Sequence, residues 1–300
     1  MLLHENIIGK RFKHALISDP HFGTQQASHD AFNEAVEMIG TNNWYWSFGG
    51  DVIEAKYVGH PHFNAALHEG KNALVEAQCK YAIKKVRPIK NRCVSWNIGN
   101  HEDNKGIIPI MNPGRYMTEK LGIRVPVAWT VKMKLAEDYI FFYTHGRLRV
   151  NSGVGSPAQI ELNEAERIKR KLWRLPGVSD ANIVAVAHIH KLRIADPVEE
   201  LDIWGIDGLH QEINSEYKAG HSLSRDSKWY CSTGSFMKTT EAQVYDPNEK
   251  ILDEDGDVES YGTEDVLTYS EKFMYAKTEM GFIVITVDGG RPVNVEKITL

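Results

Sequence analysis

Short, continuous apolar runs alternate with stretches in which apolar residues recur at helical spacing, and that alternation dominates the amino-terminal third of the chain. His14 to Ser18 reads as a strand, after which Phe32, Ala35, Val36 and Ile39 share one face of a helix that Ser28 can cap and Gly40 can end. Trp44 to Phe48 is a second strand, running into Gly49-Gly50-Asp51, and Phe63, Leu67, Leu74 and Tyr81 mark the stripe of a long helix behind it. Cys93 to Ile98 is a third strand. This rhythm predicts α/β layers with parallel pairing, because parallel neighbours need a crossover and a helix usually supplies it.

Beyond residue 128 the texture changes. Ala128 to Leu135 and Tyr139 to Thr144 are separated only by Ala136-Glu137-Asp138, which predicts a hairpin and with it a second sheet. Asn163 to Leu175 is a basic amphipathic helix closed by Pro176-Gly177, and Ile183 to Ala187 is a strand that ends at His188. Trp229 to Ser232, Phe282 to Val287 and Asn294 to Thr299 complete the strands. Two segments, 192–228 and 239–271, read as loops or small excursions from the fold. No linker divides the chain, so residues 1–300 are expected to form a single domain.

Composition narrows the function only a little. With 42% apolar and 25% charged residues the chain is ordinary for a soluble globular protein, and its net charge of -5 provides no general attraction for polyanions. Contact with nucleic acid would therefore need a local basic patch or bound metal. Cys79, Cys93 and Cys231 lack zinc-type spacing and read as buried, reduced thiols. They suit a reducing cytoplasm. No secretory signal is visible at the amino terminus, and no apolar run approaches the roughly 20 residues that span a bilayer, so no membrane association is expected.

The candidate chemistry lies in five short motifs, each placed after a strand-like run: Asp19-x-His21, Gly50-Asp51, Gly99-Asn100-His101-Glu102, His145-Gly146 and His188-x-His190. Ligands at strand ends would share the crevice that open α/β sheets keep there. A spacing of two lets both residues of a pair face the same side of an extended strand. A shell mixing imidazole, carboxylate and amide favours a first-row transition cation over calcium, and the absence of thiolate argues against structural zinc.

In that order the motifs resemble those of the calcineurin-like metallophosphoesterases, and Thr233-Gly234-Ser235 with the last strands looks like that family's closing segment. The resemblance covers essentially the whole chain. It implies a four-layer α/β/β/α sandwich of two mixed sheets with helices outside, and two divalent metal ions. Manganese is the first candidate, with iron, zinc, nickel and magnesium behind it. It further implies that Asp19, His21, Asp51 and His190 hold one ion, and that Asp51, Asn100, His145 and His188 hold the other. His101 would assist the leaving group while a hydroxide bridging the metals attacks phosphorus.

Two departures from the family pattern leave the ligand set whole: Ala187 replaces a glycine, and Glu54 replaces an aspartate. The segment after Gly50-Asp51 lacks the Asp-Arg-Gly of Ser/Thr protein phosphatases, which places a phosphodiester of nucleotide or DNA type ahead of a phosphomonoester or phosphoprotein. A non-catalytic protein-binding scaffold of the same fold is the alternative from another class, and the retained His101 argues against it. Arg147 is a candidate phosphate ligand, and His60 or His62 a candidate substrate contact. Ordinary surface residues are at least as common in such positions.

Overall fold

The computed structural model describes residues 3–56, 74–103, 111–198, 225–239 and 278–300, with the backbone of short strands at 200–204, 210–214, 250–252 and 258–261. In chain order the first half comprises β1 (Leu3–Glu5), β2 (Phe12–Ile17), α1 (His29–Thr41), β3 (Tyr45–Phe48), α2 (Val75–Val86), β4 (Cys93–Asn97), α3 (Pro113–Leu121) and β5 (Val127–Ala128). There follow β6 (Thr130–Ala136), β7 (Tyr139–Thr144), α4 (Pro157–Leu172), β8 (Ile183–Val186), β9 (Leu192–Ala195), β10 (Glu200–Trp204) and β11 (His210–Asn214). The remaining strands are β12 (Trp229–Thr233), β13 (Lys250–Leu252), β14 (Val258–Tyr261), β15 (Gly281–Asp288) and β16 (Arg291–Thr299).

Two mixed six-stranded sheets result, ordered β16-β15-β2-β3-β4-β5 and β1-β6-β7-β8-β12-β9. Parallel pairing joins β2, β3, β4 and β5 in one sheet and β7, β8 and β12 in the other. The pleat of each strand explains the layering. Along β2, Leu16 enters the core between the sheets while Ala15 and Ile17 pack outward. Along β15, Ile283 and Ile285 point inward and Phe282 and Val284 outward. Helices α1, α2 and α3 cover the outer face of one sheet through Phe32, Ala35, Ala82, Ile83, Met117 and Leu121. On the other sheet Ile140, Phe142, Val184 and Val186 face outward onto Ile168 and Leu172 of α4. The fold is thus a sandwich of two sheets with helices outside, as the motifs implied.

Several boundaries differ from the sequence reading. Helix α4 begins six residues early, at Pro157 rather than Asn163, because Ser156 caps it by accepting the Gln159 N–H at 3.3 Å, and its first turn is largely exposed and so carries no buried stripe. Helix α3 was not foreseen. Its signals are punctuation, not pattern: Asn112 accepts the Arg115 N–H, Pro113 opens the first turn, and Gly122 ends it at φ 71°. Within 192–228, β9 joins a main sheet and β10 pairs with β11, and within 239–271 β13 pairs with β14. Of the long helix after β3, only Val75–Val86 falls in the described residues. All three cysteines are free and buried, and burial raises each thiol, Cys79 and Cys231 to about 12. No helix among the described residues is long and apolar enough to cross a membrane.

One polar chain runs through the core between the sheets. The His14 ring lies 2.7 Å from the Tyr139 hydroxyl and 2.8 Å from Ser47 Oγ, which in turn accepts from Ser95 Oγ. Complete burial lowers His14 to about 3, since the imidazolium cannot be solvated there. Between its ordinary pKa of about 6.5 and 3, the unfolded chain binds a proton that the folded one refuses. The stability this group contributes is therefore complete above pH 6.5 and falls by about 1.4 kcal/mol per pH unit below it. Urea unfolding midpoints measured from pH 7 to 5 should show that fall, and His14→Gln should flatten it; an equal slope in both proteins would refute the assignment.

Candidate metal centre

Every motif leaves the carboxyl end of a strand. Asp19 and His21 follow β2, Asp51 follows β3, Asn100 and His101 follow β4, His145 follows β7, and His188 and His190 follow β8. These strands come from both sheets, so the loops meet where the sheets end side by side.

The pairs at a spacing of two do not reach one cavity through the pleat of a strand, as the sequence reading had it. Asp19, His21, Asp51, His188 and His190 all lie past the strand ends in left-handed backbone, with φ between 47° and 70°. An L residue held there is strained, and a cluster of such residues marks a site where geometry outweighs local comfort. Backbone hydrogen bonds hold the conformation: Asp19 N–H donates to Gly50 O, His21 N–H to Asp51 O, and Phe22 N–H to Val52 O, at 3.0 to 3.1 Å. Ala187 does not share the positive φ, so the missing glycine costs nothing there.

Asp19, Asp51 and His145 are wholly buried, and His21 nearly so. Asp19 Oδ2 accepts the His188 N–H at 3.1 Å and Asp51 Oδ1 the His101 N–H at 2.9 Å, while Asp19 Oδ1, His21 Nε2 and Asp51 Oδ2 are left without a well-formed hydrogen bond. His21 Nε2 lies 3.9 Å from Asp19 Oδ1 and 3.8 Å from Asp51 Oδ2. His190 Nε2 approaches Asp19 Oδ1 to 3.3 Å, and His145 Nε2 approaches Asp51 Oδ2 to 3.1 Å. Donor atoms of Asp19, His21 and His190 lie within 4.8 Å of one another, as do those of Asp51, His145 and His188. A buried carboxylate oxygen is unfavourable unless positive charge faces it, and donor atoms that converge in this way suit a divalent cation. The residues therefore fit two metal ions. A third group, His21, Asp51 and His101, is equally compact, so His101 stands within reach of the same space.

The imidazoles are aimed by their other nitrogen. His145 Nδ1 donates to the Gly49 carbonyl at 2.9 Å, and His21 Nδ1 donates to Glu54 Oε2 at 3.0 Å. Each leaves Nε2 directed at the carboxylates. Glu54 also offers its carbonyl to His101 Nδ1 at 2.8 Å. Glu102 acts on the backbone: its carboxylate accepts the N–H groups of Asp51, Val52, Ile53 and Gly99, clamping the loop after β3 to the loop after β4. Contact here is so close that a Cβ on Gly99 would stand 2.0 Å from Asp51 Oδ1. Sequence reading noted Glu54 only as a departure and gave Glu102 no role. Their sole signal was position, three residues after Asp51 in one case and two after Asn100 in the other.

The charges follow from this packing. Burial would raise Asp51, but the charges of His145 and His101 override it and hold the carboxyl well below its ordinary range. Asp19 is lowered against burial in the same way, chiefly by His190. Burial alone would lower His145, yet the Asp51 carboxylate drives it up to about 9, so the imidazolium occupies the place of a cation. For His101 the charges of Glu54 and Asp51 outweigh burial and raise it. His188 falls to about 4 through burial and the His145 charge. Burial and Asp51 push Glu102 up to about 7, against its four N–H donors.

Arg147 is exposed, with its guanidinium 5.2 Å over the Trp129 ring. His60 and His62 lie outside the described residues. Ser235 supports the backbone: its Oγ donates to the Asp19 carbonyl at 2.9 Å.

No family model matches the chain, and no curated protein matches it. Among solved structures it is similar to GAP50, the anchor in the inner membrane complex of Plasmodium, at 9% identity over 97% of this chain and 90% of that one, with a TM-score of 0.34. That likeness is too slight to inform function.

Glu102→Gln would turn an amide N–H₂ towards backbone donors, and should lower unfolding stability by about 2–4 kcal/mol in the metal-free protein; a loss under about 0.5 kcal/mol in urea titrations would show that the clamp is unimportant. Because His145 must lose a proton to act as a ligand, Mn(II) affinity should rise as the pH climbs from 7 towards 9, with proton release on binding. Calorimetry in buffers of differing ionisation enthalpy would reveal this, and an affinity flat over that range would contradict it.

Proposed function

We propose that this chain is a dinuclear metal-dependent phosphoesterase of the calcineurin-like kind, hydrolysing a phosphodiester. The observation that carries the reading is the convergence of three buried donor atoms without a well-formed hydrogen bond, Asp19 Oδ1, His21 Nε2 and Asp51 Oδ2, among further imidazoles. Asp19, His21, Asp51 and His190 would hold one ion, and Asp51, Asn100, His145 and His188 the other. When bound, two such cations supply Lewis acidity, which makes water acidic enough to attack and neutralises charge on phosphorus. A mixed shell suits first-row transition ions, the carboxylates and amide favouring manganese and the imidazoles iron, nickel or zinc.

The chain supplies orientation and a proton. His101 faces the same space, its Nδ1 fixed on the Glu54 carbonyl, so Nε2 is the atom left to meet a substrate oxygen. The nearby carboxylates keep it protonated more readily than an ordinary histidine, which suits donation to a departing alkoxide. Glu54 steadies His21 and His101 together, linking ligand geometry to the acid. Burial of Asp19 and Asp51 excludes water from the carboxylate side, which strengthens every charge interaction within the site.

Purified protein supplied with Mn(II) should release nitrophenol from bis-p-nitrophenyl phosphate. Absence of turnover of both this diester and the monoester, with every divalent metal tried, would remove the enzymatic reading and leave a binding protein. His101→Ala should retain its metal content while losing about 10²- to 10⁴-fold in kcat; unchanged hydrolysis would show that the proton comes from elsewhere.

A further inference from the structure

Trp129 occupies the single residue between β5 and β6, where the chain passes from one sheet to the other. Its carbonyl accepts the His145 N–H at 3.0 Å, and its ring meets the His145 imidazole edge-on at 5.7 Å. Its indole N–H donates to Asp103 Oδ2 at 2.8 Å, and Asp103 in turn donates its own N–H to the Gly99 carbonyl at 3.0 Å. One side chain thus ties the loop bearing Asn100 and His101 to the loop bearing His145. On this side chain rests the guanidinium of Arg147, an exposed group with no ion-pair partner among the described residues.

The contrast with the other cations near the site is informative. Lys191 and Arg193, just past His190, are buried and neutralised by Glu164 and Glu279. They hold the protein together. Arg147 keeps its donors for solvent, yet it lies 5.2 Å over an indole that is itself hydrogen-bonded, and this cation–π contact biases its position one ring away from a candidate ligand. A planar guanidinium with free donors, held in place beforehand, binds a phosphoryl group through paired hydrogen bonds and loses little entropy in doing so.

Resting on the phosphoesterase reading, we propose that Arg147 binds a second phosphoryl group of the substrate, joined to the one hydrolysed, with Trp129 and Asp103 as positioning residues. That group is a neighbouring phosphate in a nucleic-acid strand or the other half of a pyrophosphate linkage. The substrate class is accordingly one with at least two phosphoryl groups in series, and Arg147 sets the preference for it.

Three substrates separate the possibilities: bis-p-nitrophenyl phosphate with one phosphorus, a 5′-phosphorylated thymidine dinucleotide, and ADP-ribose. Arg147→Ala should raise KM for a two-phosphoryl substrate by about tenfold more than it does for bis-p-nitrophenyl phosphate, with little difference in kcat. Selective loss on the dinucleotide identifies a strand, and on ADP-ribose a pyrophosphate. Arg147→Lys should recover only part of the loss, because the paired contact is gone, and Trp129→Phe, which keeps a ring but loses the Asp103 bond, should fall between. Equal changes on all three substrates would overturn the proposal. A second measurement stands apart from turnover. In calorimetry on the Mn(II)-loaded protein, inorganic pyrophosphate should bind more tightly than orthophosphate, and Arg147→Ala should shrink that margin. A margin untouched by the substitution, with no selective loss on the dinucleotide, refutes the role of Arg147 whether or not the protein is a hydrolase, whereas missing turnover with a margin that Arg147→Ala shrinks refutes only the phosphoesterase reading.

Discussion

Two carboxylates taken wholly out of water, Asp19 and Asp51, set the conditions that the rest of the site must meet. Ionised groups in such surroundings are stable only beside compensating charge, and the imidazoles of His21, His145, His188 and His190 are what the chain places around them. Neutral packing would fill the same volume more comfortably. The cluster is instead kept polar, and its backbone is kept strained, with five ligand positions in a region of φ that costs of order 1–3 kcal/mol for a residue other than glycine. Strain of that kind persists only where the surrounding loops over-determine the backbone.

The sandwich supplies the means. Strands β2, β3 and β4 run parallel in one sheet, β7 and β8 in the other, so five chain segments end on the same side and deliver their next residues to one place. Rigid cores on both faces of each sheet hold those ends still, while polar clamps govern the loops beyond them. Glu102 fastens the loop after β3 to the loop after β4, and Glu54 orients two histidines. Behind the loop after β8, Glu164 of α4 gathers Lys191 and Arg193 into a buried network that also reaches Glu279. Such networks add little net stability, but breaking one leaves an uncompensated charge, so they select a single arrangement of the loop.

The candidate ligands were legible as a series because metal coordination admits few side-chain types, and an apolar run before each fixed its place at a strand end. The α/β layering was legible because continuous apolar runs such as β7 and β8 report strands buried on both faces, and the sandwich of two sheets was implied by the resemblance. Other features were not. Helix α3 is too short to show a stripe, and β9 to β11 are strands by virtue of their partners rather than their composition.

The candidate ligands and the succession of strands along the chain, then, could be read from the sequence itself, since both are written in local residue types and short-range patterning, whereas the order of strands within each sheet could not. Tertiary structure alone decided how the ligands reach one cavity, through left-handed turns stabilised by neighbouring loops and not through the pleat of a strand. It also decided what Glu54, Glu102 and Trp129 do. Glu54 acts on His21, Glu102 on Asp51 and Trp129 on His145, each across 16 to 51 residues of chain. The physical reason is that a hydrogen bond or ring contact depends on separation in space, and only the closing of two sheets upon one another sets that separation.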